Sequence, residues 1–126
     1  MRLEVKKYAD RDRAHQLAVD YLERRVAGEI NLVEPPSKVA VHQMKRLLAS
    51  GVIPDTQNSK LKQEAALRGV SVPELKRLIL EQAESTDEEL LRIERIRTRL
   101  RKKLDEALLS REIELIRGEI DQAFAL

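Results

Sequence analysis

Three observations predict an all-α fold. Leu, Ile, Val, Ala, Glu, Lys and Arg dominate the chain, aromatic residues are only 2% (Tyr8, Tyr21 and Phe124) and charged residues are 37%, a composition typical of helical bundles and coiled coils. Apolar residues recur at three- and four-residue steps through most of the sequence. Prolines and most glycines fall between these periodic runs. The predicted architecture is a helical bundle with a short N-terminal arm and a long amphipathic C-terminal helix or helical hairpin. Its parts are an extended arm over 1–9, a compact helical region over 10–84 and the long helix or hairpin over 85–126. A chain of 126 residues is the size of one domain with a real core, so one domain overall is expected.

The arm, "LEVKKY" within it, alternates weakly and has too small an apolar face to stand alone as a strand. A first helix follows from Asp10, a potential cap. Ala14, Leu17, Ala18, Tyr21, Leu22 and Val26 form its inner stripe, and Gly28 is placed to end it. "NLVEPPSK" must break the chain, because each proline lacks an N–H and restrains the residue before it. Ser37 is the predicted cap of a second helix, with Ala40, Val41, Met44, Leu47 and Leu48 in its stripe and Gly51 at its end. "VIPDTQNS" is a loop from which Asn58 or Ser59 would cap a short third helix turned inward at Leu61, Ala65 and Ala66.

Gly69 is placed for a left-handed residue closing that third helix. Ser71 and Glu74 have capping-box spacing, Val70 and Leu75 flank them as a staple, and Pro73 falls in the first turn, where its missing N–H costs nothing. Ser85 with Glu88 and Thr86 with Glu89 repeat the capping spacing and predict a fresh helix start. Beyond them Ile93, Ile96, Leu100, Leu104 and Leu108 form one stripe and Ile113, Ile116, Ile120 and Ala123 another. The register slips at Leu108 and Leu109, so either one long helix contains a stutter or the chain turns near Ser110, which with "SREIE" would cap a new helix. Two such stripes are the pattern of a helix–helix seam, and Ile93, Ile96, Leu100, Ile113, Ile116 and Ile120 are the expected protein interface.

Composition also excludes. The chain lacks Cys, which removes disulfides, thiolate metal sites and a cysteine nucleophile. Its net charge of +2, from 24 basic and 22 acidic residues, points to no polyanionic partner unless the charges cluster. A charged N-terminus and the absence of an apolar run near the roughly 20 residues of a membrane span predict no membrane partner and a cytoplasmic product. His15 and His42 have no metal-ligand spacing, no serine has a base near it, and there is no glycine-rich phosphate loop. Pro54 and Asp55 followed by Glu74 and Lys76 imitate a metal-dependent nuclease. That chemistry needs adjacent strands, and Glu74 and Lys76 open a helix. The expectation is no enzyme, no cofactor, no metal and no small-molecule ligand.

Two stretches bear on nucleic acid. Ala65, Gly69, Val70, Leu75 and Leu78 match part of a helix-turn-helix pattern, so a DNA-binding regulator using residues 60–84 is the alternative function. Against it, Arg68 stands where an apolar residue should turn inward, and the second helix would offer Val72, Pro73 and Glu74 to the groove beside Lys76 and Arg77. A ribbon-helix-helix arrangement would need a pairing strand where "GVIPDTQNS" stands, and its proline opposes one. "RIERIRTRLRKK" has seven basic residues and one acidic. Arg92, Arg95, Arg99, Lys102 and Lys103 share a helix face there, either a phosphate-binding ridge or a solvated face balanced by nearby acids.

The order of parts in "VHQMKRLLASGVIPDTQNSKLKQEAALRGVSVPELKRLILEQAE" and "LLRIERIRTRLRKKLDEAL" resembles small proteins encoded among the structural genes of tailed bacteriophages and prophages. The shared features are a lysine- and leucine-bearing helix, an "IPDT"-like turn, an "A-x-x-x-G-V-S" helix pair and a charged terminal helix. The resemblance implies a virion or tail-assembly component that acts by contact with copies of itself or with phage structural proteins. It implies no catalytic residue.

Overall fold

A computed structural model describes the backbone of residues 2–54 and 60–125, and the side chains of 10–54 and 60–125. Five helices follow in order: α1 (Arg2–Val33), α2 (Pro36–Ser50), α3 (Lys60–Arg68), α4 (Val72–Glu106) and α5 (Ser110–Ala123). No strand occurs among the described residues, and the fold is all-α. The chain divides into two compact units. Unit 1 is Met1–Leu32 with Leu91–Leu126, and unit 2 is Val33–Leu90. The N-terminal stretch 1–32 and the C-terminal stretch 91–126 thus belong to one unit.

Unit 1 is a three-helix bundle of α1, the C-terminal part of α4, and α5. Arg97 reaches Glu23 and Arg11 reaches Ala107, so α1 and α4 run antiparallel. Lys103 reaches Glu119, so α4 and α5 also run antiparallel, while Tyr21 with Asp121 and Arg25 with Phe124 set α1 and α5 parallel. The shared core is Ala18, Val19, Leu22 and Val26 from α1, Ile93, Leu100, Leu104 and Ala107 from α4, and Ile113, Ile116, Ile120 and Phe124 around α5.

This bundle explains several departures from expectation. Residues 2–9 continue α1 rather than forming an extended arm, and Asp10 lies within the helix instead of capping it. Gly28 does not end it either. An exposed helical glycine costs only about 1 kcal/mol, less than the face Ala18, Val19, Leu22 and Val26 gains by packing. The helix stops at Val33, just before the Pro35–Pro36 pair. Leu17 points outward, and Val19 takes the inner position instead.

Unit 2 packs α2, α3 and the first part of α4 around Leu48, Leu61, Ala65 and Leu75, with Ile53, Val70, Val72 and Ile79 against them. Pro35 precedes α2 and Pro36 opens it, with no side-chain cap, so Ser37 is not the cap. A proline at the first helical position forfeits an N–H that had no intrahelical partner anyway. Gly51 closes α2 at φ +79, as expected. The proposed caps Asn58 and Ser59 lie outside the described residues.

α4 runs unbroken through Ser85 and Thr86, so the second pair of capping boxes starts no helix. Capping chemistry acts only where the preceding residues leave the helix, and neither proline nor glycine forces them out here. The hairpin alternative is the one adopted after Glu106. Leu109, extended at φ −116 and ψ 145, precedes α5, and Ser110 is its first residue rather than its side-chain cap. Glu112 instead reaches back to accept the Leu108 N–H at 3.1 Å.

Candidate interaction site

The connection between α3 and α4 is a tight, doubly capped turn. Gly69 adopts φ +71, Val70 N–H donates to Ala65 O at 3.0 Å, and Ser71 Oγ accepts from Glu74 N–H at 3.2 Å. Leu61, Ala65 and Leu75 are buried beneath this turn, as their sequence positions predict, whereas Ala66, also expected inward, is exposed one residue off the buried line of α3. Arg68 points outward and donates to Glu64 at 3.0 Å, so the apolar residue missing from the motif leaves no inward charge.

The outer face of α4 is unfavourable for reading a groove. Arg77 donates through Nε to Glu74 at 3.1 Å and also pairs with Glu81. These two carboxylates, Glu74 first, raise the guanidinium's pKa, and Arg77 in turn holds the Glu74 carboxyl below the usual carboxylate range. Lys76 is half-buried, and Glu81, Glu84, Asp87, Glu88 and Glu89 are exposed along the same segment. A phosphate approaching here meets carboxylates before it meets a cation.

α2 presents a different surface. Val41 and Met44 are 54% and 44% exposed although the sequence places them in the apolar stripe. With Ala40, Leu48 and Leu61 they line a groove of about 290 Å³ between α2 and α3, edged by Lys45, Lys60 and Glu64. Glu64 braces this groove from α3. It accepts from Lys45 at 2.8 Å and from Arg68 at 3.0 Å, and the Lys45 hydrogen bond above all lowers its pKa. A carboxylate with a lowered folded-state pKa contributes stability above its unfolded pKa, and that contribution disappears as pH falls through the folded value. Glu64→Gln is therefore expected to lower the stability of unit 2 at neutral pH by up to about 1 kcal/mol. Urea melts followed by circular dichroism should show the difference closing as pH drops below the Glu range. A deficit independent of pH would mean that lost packing, not charge, is responsible.

A second hollow of about 460 Å³ lies between α2 and α4 in unit 2, with Val33, Leu78, Ile79 and Ala83 among its lining. Two of its polar side chains are held by ion pairs. His42 lies 3.2 Å from Glu34, and Arg46 donates to Asp87 at 3.0 Å and to Ala83 O at 3.3 Å.

The six residues expected to form an intermolecular seam lie in unit 1. Ile93, Leu100, Ile113, Ile116 and Ile120 are buried and Ile96 is half-buried. The two stripes face each other across the hairpin and α1 closes over them, so they are an internal core and not an outward face. On the opposite side of α4, Arg92, Arg95, Arg99 and Lys102 are exposed. Their neighbours are engaged: Arg97 with Glu23 and Glu94, Arg101 with Asp105, and Lys103 with Glu119.

Sequence spacing missed the contacts that depend on folding. His15 Nε2 lies 2.7 Å from Asp105 Oδ1 across 90 residues of chain, and this bond, with Arg101 second, lowers the Asp105 pKa. Tyr21 donates to Asp121, which raises the phenol's pKa, and the Arg117 guanidinium stacks 4.9 Å from the Tyr21 ring centroid. Among the described residues no cluster of three or more His, Asp or Glu could hold a metal ion, and no helix is long and apolar enough to cross a membrane. Of the nuclease-like set, Glu74 is taken by Arg77 and Asp55 lies outside the described residues. No known family's model, no curated protein and no solved structure matches this chain.

Proposed function

We propose that this chain is a non-enzymatic helical interaction protein that self-associates through α2. The observation that carries the reading is the apolar stripe on α2 that unit 2 leaves uncovered, Val41 and Met44 above all. Ala40, Val41 and Met44 have the three- and four-residue spacing that one helix offers to another. The same stripe on a second copy is its complement about a two-fold axis. The interface expected on the C-terminal stripes thus moves to α2, because those stripes are consumed within unit 1. The resemblance to phage structural-gene products supplies the setting of this proposal, a virion or tail-assembly component with phage structural proteins as further partners.

Light-scattering mass after size exclusion tests it. The parent chain is expected at twice its 14.5 kDa mass. The double variant Val41→Glu, Met44→Glu is expected at the monomer mass with unchanged helicity. A parent chain that stays monomeric at every concentration would overturn the reading.

The realised turn at Gly69 and Ser71 favours a second reading, a DNA-binding helix-turn-helix over residues 60–84. Under it, Lys76→Ala with Arg77→Ala would abolish duplex binding and leave assembly intact. The two carboxylates on Arg77 weigh against it.

A further inference from the structure

We propose that Arg95, Arg99 and Lys102 form a binding ridge on α4 for the phosphate backbone of a nucleic-acid duplex. At 3.6 residues per turn the three fall within about 60° of one another and roughly 150° from the centre of the Ile93, Leu100 and Leu104 core face. The bundle thus turns them straight outward, and all three are exposed. At 1.5 Å per residue they span about 10 Å of helix. Arg92 extends the same face toward the N-terminus of this segment.

Within this stretch of α4, what separates Arg95, Arg99 and Lys102 from Arg97, Arg101 and Lys103 is that no carboxylate holds them. Arg97, Arg101 and Lys103 are each drawn to Asp or Glu on the flanks of α4, whereas Arg95, Arg99 and Lys102 make no hydrogen bond or ion pair among the described residues. The chain's net +2 also divides unevenly, +3 in unit 1 and −1 in unit 2. A polyanion therefore meets three cations that hold no ion pair, with one exposed carboxylate, Glu106, four residues beyond Lys102 on the same face.

The chemistry of the ridge selects among polyanions. On this face of α4 a single large hydrophobic side chain, Leu91 one turn before Arg95, is exposed and none is from 92 to 106, too little for the apolar wedge that anchors a basic helix in a lipid surface. No aromatic residue lies in the same stretch to stack on unpaired bases. Point cations along a straight helix suit the regularly spaced phosphates of a duplex, read without regard to sequence.

The test is fluorescence anisotropy of a labelled mixed-sequence duplex with the full chain, titrated with salt. Neutralising three phosphates predicts a slope of log K against log[salt] of about −2.7, a roughly 40-fold weakening between about 50 and 200 mM salt. The triple variant Arg95→Ala, Arg99→Ala, Lys102→Ala is expected to lose at least about tenfold in affinity at low salt with its melting curve unchanged. Lys76→Ala with Arg77→Ala is expected to bind like the parent. Loss of binding in the latter pair alone would return recognition to the helix-turn-helix and overturn the ridge. So would unchanged binding by the triple variant, an absence of duplex binding at low salt, or binding confined to phosphatidylserine vesicles. The α2 variant Val41→Glu, Met44→Glu reports on assembly separately, so failure of either proposal is read independently.

Discussion

Replacing Leu100 by Ala is expected to destabilise unit 1 by about 2–5 kcal/mol, the range for truncating a fully buried leucine. Leu100 is 0% exposed, within a bundle whose three helices all contribute buried apolar side chains. Removing its isobutyl group loses transfer free energy and leaves a cavity that three packed helices relax into only partly. For a unit of this size the melting temperature should fall by at least roughly 8 °C. The same experiment separates an internal core from an intermolecular seam. If Leu100 belongs to the core of one chain, its contribution is independent of protein concentration. If it joined two chains, the melting temperatures of parent and variant would converge on dilution. Leu115→Ala is the control, since Leu115 is exposed, and a change within about 0.5 kcal/mol is expected there.

Arg11→Ala is expected to cost about 1.5–3 kcal/mol, the range for hydrogen bonds to a charged group. The Arg11 guanidinium ends α4 from another helix. Its Nε donates to Ala107 O at 2.9 Å, and Nη2 donates to Asp105 O at 3.1 Å and Leu104 O at 3.4 Å. Leu104 O and Asp105 O belong to the last turn of α4 and Ala107 O directly follows it, at the negative end of the helix dipole where carbonyls lack intrahelical partners. No glycine follows α4 to close it locally, so this side chain does the work of a C-cap. It is largely buried, at 19% exposure, which limits solvent screening of the charge. Hydrogen exchange should show the amides of the last α4 turn losing protection first. Arg11→Lys should recover only part of the loss, because one ammonium does not reproduce the planar fork that reaches three carbonyls. An Arg11→Ala variant with parent stability would show that water caps these carbonyls equally well.

Local sequence specifies some turns of this chain more completely than others. Around Gly69 and Ser71 the reading was nearly complete, because a left-handed closing residue, a capping serine and a buried Leu75 are specified within a few residues of one another. The α5 turn was half legible. The slip at Leu108 and Leu109 marked a break, but Ser110 was mistaken for the cap that Leu109 and Glu112 provide. The same capping logic misled at Ser85 and Thr86, where the chain had no reason to leave the helix.

The candidate interaction surfaces were legible as stripes but not as surfaces. Periodicity shows that Ile93, Leu100, Ile113 and Ile120 share a side, as do Ala40, Val41 and Met44. It does not say which stripe the chain itself will cover. That is decided when α4 and α5 close on α1 from the far end of the sequence and bury the C-terminal stripes, while unit 2 leaves Val41 and Met44 of α2 exposed. Likewise Arg97 and Arg99 look equivalent in sequence, yet one finds Glu23 on α1 and the other finds no carboxylate. The sequence by itself determined the all-α class, the breaks at Pro35–Pro36, Gly51 and Gly69, and the helix face each residue occupies, because these depend on local dihedrals and on a period of 3.6 residues. Only the tertiary structure decided which faces are core and which cations stay unpaired, because burial and ion pairing are contacts between segments far apart in the chain.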